Sequence, residues 1–86
     1  MATVRLRAPL KRLAGDRAEL SLEGATVGEL MVGLERENPA MAGWILDERG
    51  LVRRHINVFV NGELVDAKTQ VGKADVVDVL PAISGG

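Results

Sequence analysis

The chain has 86 residues, 47% of them apolar, and 11 basic side chains balance 12 acidic ones for a net charge of −1. That length supports one small domain, and the even charge balance lacks the basic footprint of a nucleic-acid binder. There is no cysteine and only one histidine, His55, so disulfides, thiolate metal sites and cysteine nucleophiles are excluded together and no metal site is expected.

The first element reads as a strand. From Thr3 to Arg7, Val4 and Leu6 alternate with Arg5 and Arg7, the period of a half-buried strand. The segment 10–16 reads as a connection ending in Gly15-Asp16 turn chemistry. Ala18 to Leu22 alternates again and predicts the second arm of a hairpin, with Lys11, Arg12 and Arg17 as its solvated rim. The charges among the first apolar residues argue against a signal peptide. The longest stretch free of Asp, Glu, Lys and Arg is 38–46, far short of the roughly 20 residues that span a bilayer. No membrane partner is expected, and a cytoplasmic protein is.

Thr26-Val27-Gly28-Glu29 has the form of a capping box, with Thr26 accepting from the Glu29 N–H and Glu29 reaching back to the Thr26 N–H. Val27, Leu30, Met31 and Leu34 then lie on one stripe of a helix, which Pro39 discourages from continuing. Gly33 is expected to permit close approach to a sheet. Residues 40–46 predict a short helical turn that sets Trp44 or Ile45 against the core edge. Arg49, Arg53 and Arg54 read as a solvated loop, or else as a basic rim for an acidic partner.

Ile56 to Val60 is the strongest strand pattern and is expected to be central. Asn61-Gly62 is the favoured pair for a two-residue hairpin turn, and 63–65 returns as a short strand. A loop at 66–73 leads to a last strand, Val76 to Leu80. Pro81 cannot donate to a ladder, so the strand is expected to stop there. The domain is then residues 1–80, and 81–86 is a flexible tail ending in Gly85-Gly86.

One helix cannot cover both faces of such a sheet. The expected fold is α+β: a β-grasp, ubiquitin-like arrangement of a mixed four- to five-stranded sheet with one main helix packed on one face. The first and last strands then pair in parallel. The predicted core is Val4, Leu6, Leu20, Leu22, Val27, Leu30, Met31, Leu34, Ile56, Val58, Val60, Val77 and Val79. The open face is the natural docking surface, and Arg5, Arg7, Phe59, Leu64 and Leu80 have the parity or position for it. Phe59 either stands on that face or is covered by Trp44 or a loop.

The segment from Val76 through Leu80-Pro81-Ala82-Ile83-Ser84-Gly85-Gly86 resembles the end of the ubiquitin-like sulfur carriers of the MoaD/ThiS family. The start, Val4-Arg5-Leu6-Arg7-Ala8 with Leu13-Ala14-Gly15, is similar to the MoaD group. The stretch from Arg54 to Glu63, taken with the tail, looks nearest to the CysO-type carriers. Leu6 and Arg7 stand where subunits of molybdopterin synthase tend to have aromatic residues.

The resemblance implies a carrier and not an enzyme. An E1-like partner adenylates the Gly86 carboxylate with ATP, and a sulfur donor converts it to a thiocarboxylate that serves cysteine, thiamine, molybdopterin or related biosynthesis. Pro81, Ala82, Ile83, Ser84 and Gly85 are then read by partners: the E1-like enzyme, and a sulfur-accepting synthase such as a cysteine synthase, a thiazole synthase or the large molybdopterin synthase subunit. The carrier binds no cofactor itself, since the partner uses the ATP. Two other readings remain open. One is a modifier joined through Gly86 to lysines, and the other is a β-grasp interaction domain with an inert tail.

Overall fold

The computed structural model describes residues 1–81. Five strands, β1 (Ala2–Leu6), β2 (Glu19–Leu22), β3 (Ile56–Val60), β4 (Glu63–Val65) and β5 (Val76–Pro81), form one sheet in the order β2-β1-β5-β3-β4. β1 and β5 are parallel and the other pairs are antiparallel. The main helix, α2 (Val27–Glu37), covers one face. This is the expected β-grasp arrangement. β3 is an interior strand, but the centre of the sheet is β5, which takes β1 on one side and β3 on the other.

The core follows the alternation. Val4 and Leu6, Leu20 and Leu22, Val77 and Val79, and Ile56 and Val58 are buried with Val27, Leu30, Met31 and Leu34 of the helix stripe. Val60, expected in the core, is half-buried and packs against it. Among the described residues, five further buried apolar ones, Ala2, Leu10, Ala14, Met41 and Ile45, were outside the expected core, as was the buried Asn38.

Leu10 is carried by a one-turn helix, α1 (Leu10–Leu13), in the segment read as a plain connection. That segment therefore drops a leucine into the core, at a gain of about 2 kcal/mol. The turn closes with Gly15 and Asp16 both at positive φ, 69° and 64°. Arg17 is exposed with Lys11 and Arg12, as expected of the rim, but it is also bonded. Its Nε donates to Ala14 O at 2.9 Å and its Nη2 to Asn38 Oδ1 at 2.7 Å, tying α1 to the end of α2.

The start of α2 is a capping box displaced by one residue. The Glu29 N–H donates to Thr26 Oγ1 at 3.2 Å, while Glu29 Oε1 accepts from the Ala25 N–H at 2.9 Å, not from Thr26. The loop after β4 supplies the remaining acceptors: Val27 N–H donates to Thr69 O and Gly28 N–H to Ala67 O, each at 2.9 Å. A Cβ on Gly28 would lie 3.2 Å from Ala67 O, so the close approach belongs to Gly28. A Cβ on Gly33 would meet nothing within 4 Å, and the sheet-approach reading of that glycine is set aside.

After α2 a 3₁₀ turn, Pro39–Met41, buries Met41. Ile45 is buried and Trp44 is left 44% exposed. Glu35 Oε2 holds this bend by accepting from the Ile45 and Leu46 N–H groups at 2.9 and 2.7 Å. The β3–β4 turn has Asn61 and Gly62 at φ 51° and 87°, the left-handed pair expected of that dipeptide. Asn61 also bonds β5: its N–H donates to Val76 O at 2.8 Å, and its Oδ1 accepts from Val76 N–H at 3.0 Å. No helix among the described residues is long and apolar enough to cross a membrane.

Candidate functional site

Each strand turns alternate residues away from α2. Register places Glu19, Arg5, Asp78, Phe59 and Leu64 in one row across all five strands of the outer face: Arg5 lies opposite Glu19 and Asp78, and Phe59 opposite Asp78 and Leu64. Leu80 pairs with Asn57, one outward position further along β5. Phe59, Leu64 and Leu80 are therefore brought together as expected. Phe59 and Leu80 are half-buried, and Leu64 is 61% exposed. Trp44 sits elsewhere, in a hollow of about 290 Å³ with Ala42, Gly43, Arg53 and His55.

The two arginines of this face differ. Arg5 is held inside the sheet surface: its Nε donates to Asp78 Oδ1 at 2.7 Å and its Nη2 to Asp78 Oδ2 at 2.8 Å. Such a two-pronged pair is among the stronger polar contacts, and it joins the two parallel strands. Sequence reading offered Arg5 as a docking residue and did not pair it with Asp78, 73 positions away. Arg7 lies one residue past β1 and is exposed.

The hydrogen bonds from Arg5, assisted by its charge and that of Arg7, hold the Asp78 carboxyl below its ordinary value. Asp75 is lowered too, by Asn61 Nδ2 and the Gly72 N–H. A depressed folded-state pKa stabilises the fold above the ordinary Asp value, and that contribution is lost as pH falls through the lowered one. Arg5 is 50% exposed, so solvent screens its pair with Asp78 and the contribution to stability is small. Expected outcome: acid titration of the thermal midpoint shows wild type losing its advantage over Asp78→Asn below about pH 4. Parallel curves down to acid pH would show that the pair contributes nothing.

β5 brings the chain to the end of the sheet between β1 and β3. The strand does not stop at Leu80 as expected. Pro81 is its last residue, in register with Ile56. Pro's missing N–H removes a donor but leaves its carbonyl and extended backbone compatible with the pairing. Pro81 is half-buried. The other tail residues singled out by sequence, Ala82, Ile83, Ser84, Gly85 and Gly86, lie outside the described residues. Among the described residues no group of three or more His, Cys, Asp or Glu side chains comes together to hold a metal ion. A groove of about 520 Å³ beside α2, lined by Glu23, Glu29, Val32, Arg36 and Leu51 among others, includes none of the singled-out residues.

The ThiS family model matches residues 4–86. Small archaeal modifier protein 1 of Haloferax volcanii is 32% identical over 84 residues, covering 95% of this chain and 97% of its own. The sulfur carrier protein CysO of Mycobacterium tuberculosis is 29% identical over 90 residues, covering 98% and 97%. Among solved structures, the Amycolatopsis orientalis BexX/CysO complex contains a chain that superposes with a TM-score of 0.86 at 29% identity, over 100% of both chains.

Proposed function

Because the chain belongs to the ThiS family, among the ubiquitin-like sulfur carriers and modifiers, we propose that it carries sulfur as a thiocarboxylate on Gly86. The observation that carries this reading is the delivery of the chain. The central strand runs to Pro81 at the edge of the outer face, and Ala82-Ile83-Ser84-Gly85-Gly86 follows. Five residues extend up to about 17 Å at roughly 3.3 Å each, long enough to place a terminal carboxylate inside a partner while the folded body stays outside.

A carboxylate is a poor electrophile. In the proposed sequence, the E1-like partner joins the Gly86 carboxylate to the α-phosphate of ATP and pyrophosphate leaves. A sulfide-level donor then attacks the acyl carbon and AMP leaves with the bonding pair. The product is a thiocarboxylate, ionised at neutral pH, which donates its sulfur to an activated acceptor on a synthase. The carrier contributes no acid, base or nucleophilic side chain. Its tasks are a backbone thin enough to thread, since glycine brings no Cβ, and a surface by which partners recognise it. Leu64, exposed, with Phe59 and Leu80 half-buried on the same sheet face, fits that second task, because apolar surface left open on a face marks an interface. The complex of CysO with BexX supports a protein partner for this chain.

The test is an intact mass after incubation with an E1-like enzyme, ATP and sulfide. The expected result is a gain equal to the difference between sulfur and oxygen, located on the peptide that ends at Gly86. The same spectrum reads whether Gly86 is the last residue, which the proposal requires. The relation to small archaeal modifier protein 1 favours a second reading, conjugation through Gly86 to lysines. Lysine-linked adducts without any sulfur gain would put that reading in place of the first. Absence of an adenylate with every activating enzyme tried would remove both.

A further inference from the structure

The basic residues are spread along the sequence but not over the fold. β1 ends where β5 ends, with Leu6 opposite Val79, so Arg7 lies one step further beside Leu80. β3 begins where β5 ends, with Ile56 opposite Pro81, and a turn closed by the Ile56 N–H on Arg53 O at 3.0 Å sets Arg54 and His55 at that same end, Arg54 in a hollow with Leu64, Val65 and Asp66. Adjacent strands are about 4.8 Å apart, which sets β1 and β3 roughly 10 Å apart on either side of β5. Lys11, on α1 immediately after β1, adds to the same end.

Arg7, Lys11, Arg54 and His55 are all exposed. Arg12, beside Lys11 on α1, is exposed as well, whereas Arg17 bonds Asn38, Arg53 Nε bonds Gly43 O at 2.7 Å, and Arg49 pairs with Asp47 at 2.8 Å. Asp66, at the end of β4, turns its Oδ1 to the Lys68 N–H of its own loop. Beside His55 lies the shallow hollow with Trp44, 44% exposed. A near-neutral protein thus presents cations and its single tryptophan around the strand that leads to Gly86.

We propose that this end of the sheet is a docking surface distinct from the Phe59–Leu64–Leu80 patch: a collar of Arg7, Arg54 and His55 with Trp44 beside it, which receives an acidic rim on the protein that takes the tail. Charge complementarity chooses the occupant. Exposed guanidinium groups on both sides of one strand match carboxylates surrounding an opening, and an aromatic beside Arg is the residue pair enriched at binding hot spots. That the occupant is an activating or sulfur-accepting enzyme rests on the proposed function. That the surface it offers is acidic does not.

Two measurements separate these statements. The first titrates the protein at low salt with poly-L-glutamate, following Trp44 fluorescence and backbone amide shifts. Shifts are expected at Arg7, Arg54, His55 and Trp44, and are lost in the double variant Arg7→Glu/Arg54→Glu. They persist in Lys68→Glu/Lys73→Glu, which makes the same change in net charge on the loop at 66–75. Equal loss in both variants, or shifts spread over all cations, overturns the collar. The second measures ATP–pyrophosphate exchange by an E1-like enzyme. The collar variant is expected to raise the KM for the carrier about tenfold or more at low salt with kcat unchanged, and the loop variant to leave it unchanged. Exchange with equal KM for all three proteins overturns the collar as a docking surface for that enzyme. Polyglutamate binding at the collar with no exchange by wild type overturns the carrier reading and leaves the collar standing.

Discussion

Gly86→Trp is expected to abolish sulfur gain while the protein melts as wild type does. The two effects are separable because they reside in different parts of the molecule. The reacting carbon of the proposed adenylate belongs to Gly86 itself, and a side chain there must share a site shaped for a bare backbone. Displacing the reacting group by an ångström is enough to cost about 10²-fold in rate. One residue added after Gly86 is expected to do the same by moving the carboxylate away from the nucleotide. Deleting Gly85 and Gly86 removes no side chain. A change outside the core stays within about 0.5 kcal/mol, or roughly 2–4 °C in melting temperature for a domain of this size. Intact mass and a thermal melt on the same samples check both halves. Sulfur gain by Gly86→Trp would sink the proposed chemistry, and a large drop in melting temperature on deletion would show that the tail is packed.

The second large effect is on folding. Val58→Asp is expected to unfold the domain, whereas Phe59→Lys, one residue along, leaves it folded. Val58 is 4% exposed and lies between β4 and β5, opposite Val65 and Val79. Aspartate there forfeits about 2 kcal/mol of apolar burial and must be buried either charged and unpaired or neutral at the cost of a raised pKa. A loss of roughly 4 kcal/mol or more consumes most of the stability of a small domain, about 0.05–0.15 kcal/mol per residue. Phe59 faces the other way, and a lysine there stands beside the Asp78 carboxylate. Circular dichroism at room temperature distinguishes the two. In the exchange assay Phe59→Lys is expected to weaken docking more than folding. A Phe59 variant that unfolds like Val58→Asp would remove that residue from the docking face.

The elements that announce themselves in sequence are those whose pattern is local and repeated. The stripe Val27–Leu30–Met31–Leu34, the Asn61-Gly62 turn and the alternation of β1, β3 and β5 each fix their own geometry within a few residues. α1 escaped because four residues are too few to show a helical period. Leu10 and Met41 are buried by chain segments that turn only once, so no spacing marks them, and the turn expected at 40–46 left open whether Trp44 or Ile45 reaches the core. The reach of Glu29 was misplaced by one position: its carboxylate accepts from the Ala25 N–H, while the loop at 66–71 takes the Val27 and Gly28 N–H groups.

The sequence by itself determined the β-grasp fold and most of the core, because alternation and helical period are short-range properties of the chain, and it offered Gly86 as a candidate reacting residue only through a resemblance. Only the tertiary structure decided what the charges do. Arg5 and Arg7 are two residues apart, yet register puts an Asp78 carboxylate against Arg5 and leaves Arg7 exposed at the end of the sheet. Arg54 is 47 positions from Arg7, yet the strands next to them, β3 and β1, both pair with β5. Strand pairing acts across distances in sequence at which no local pattern survives. The partners of a side chain on a sheet face are set by that pairing and not by its neighbours in the chain.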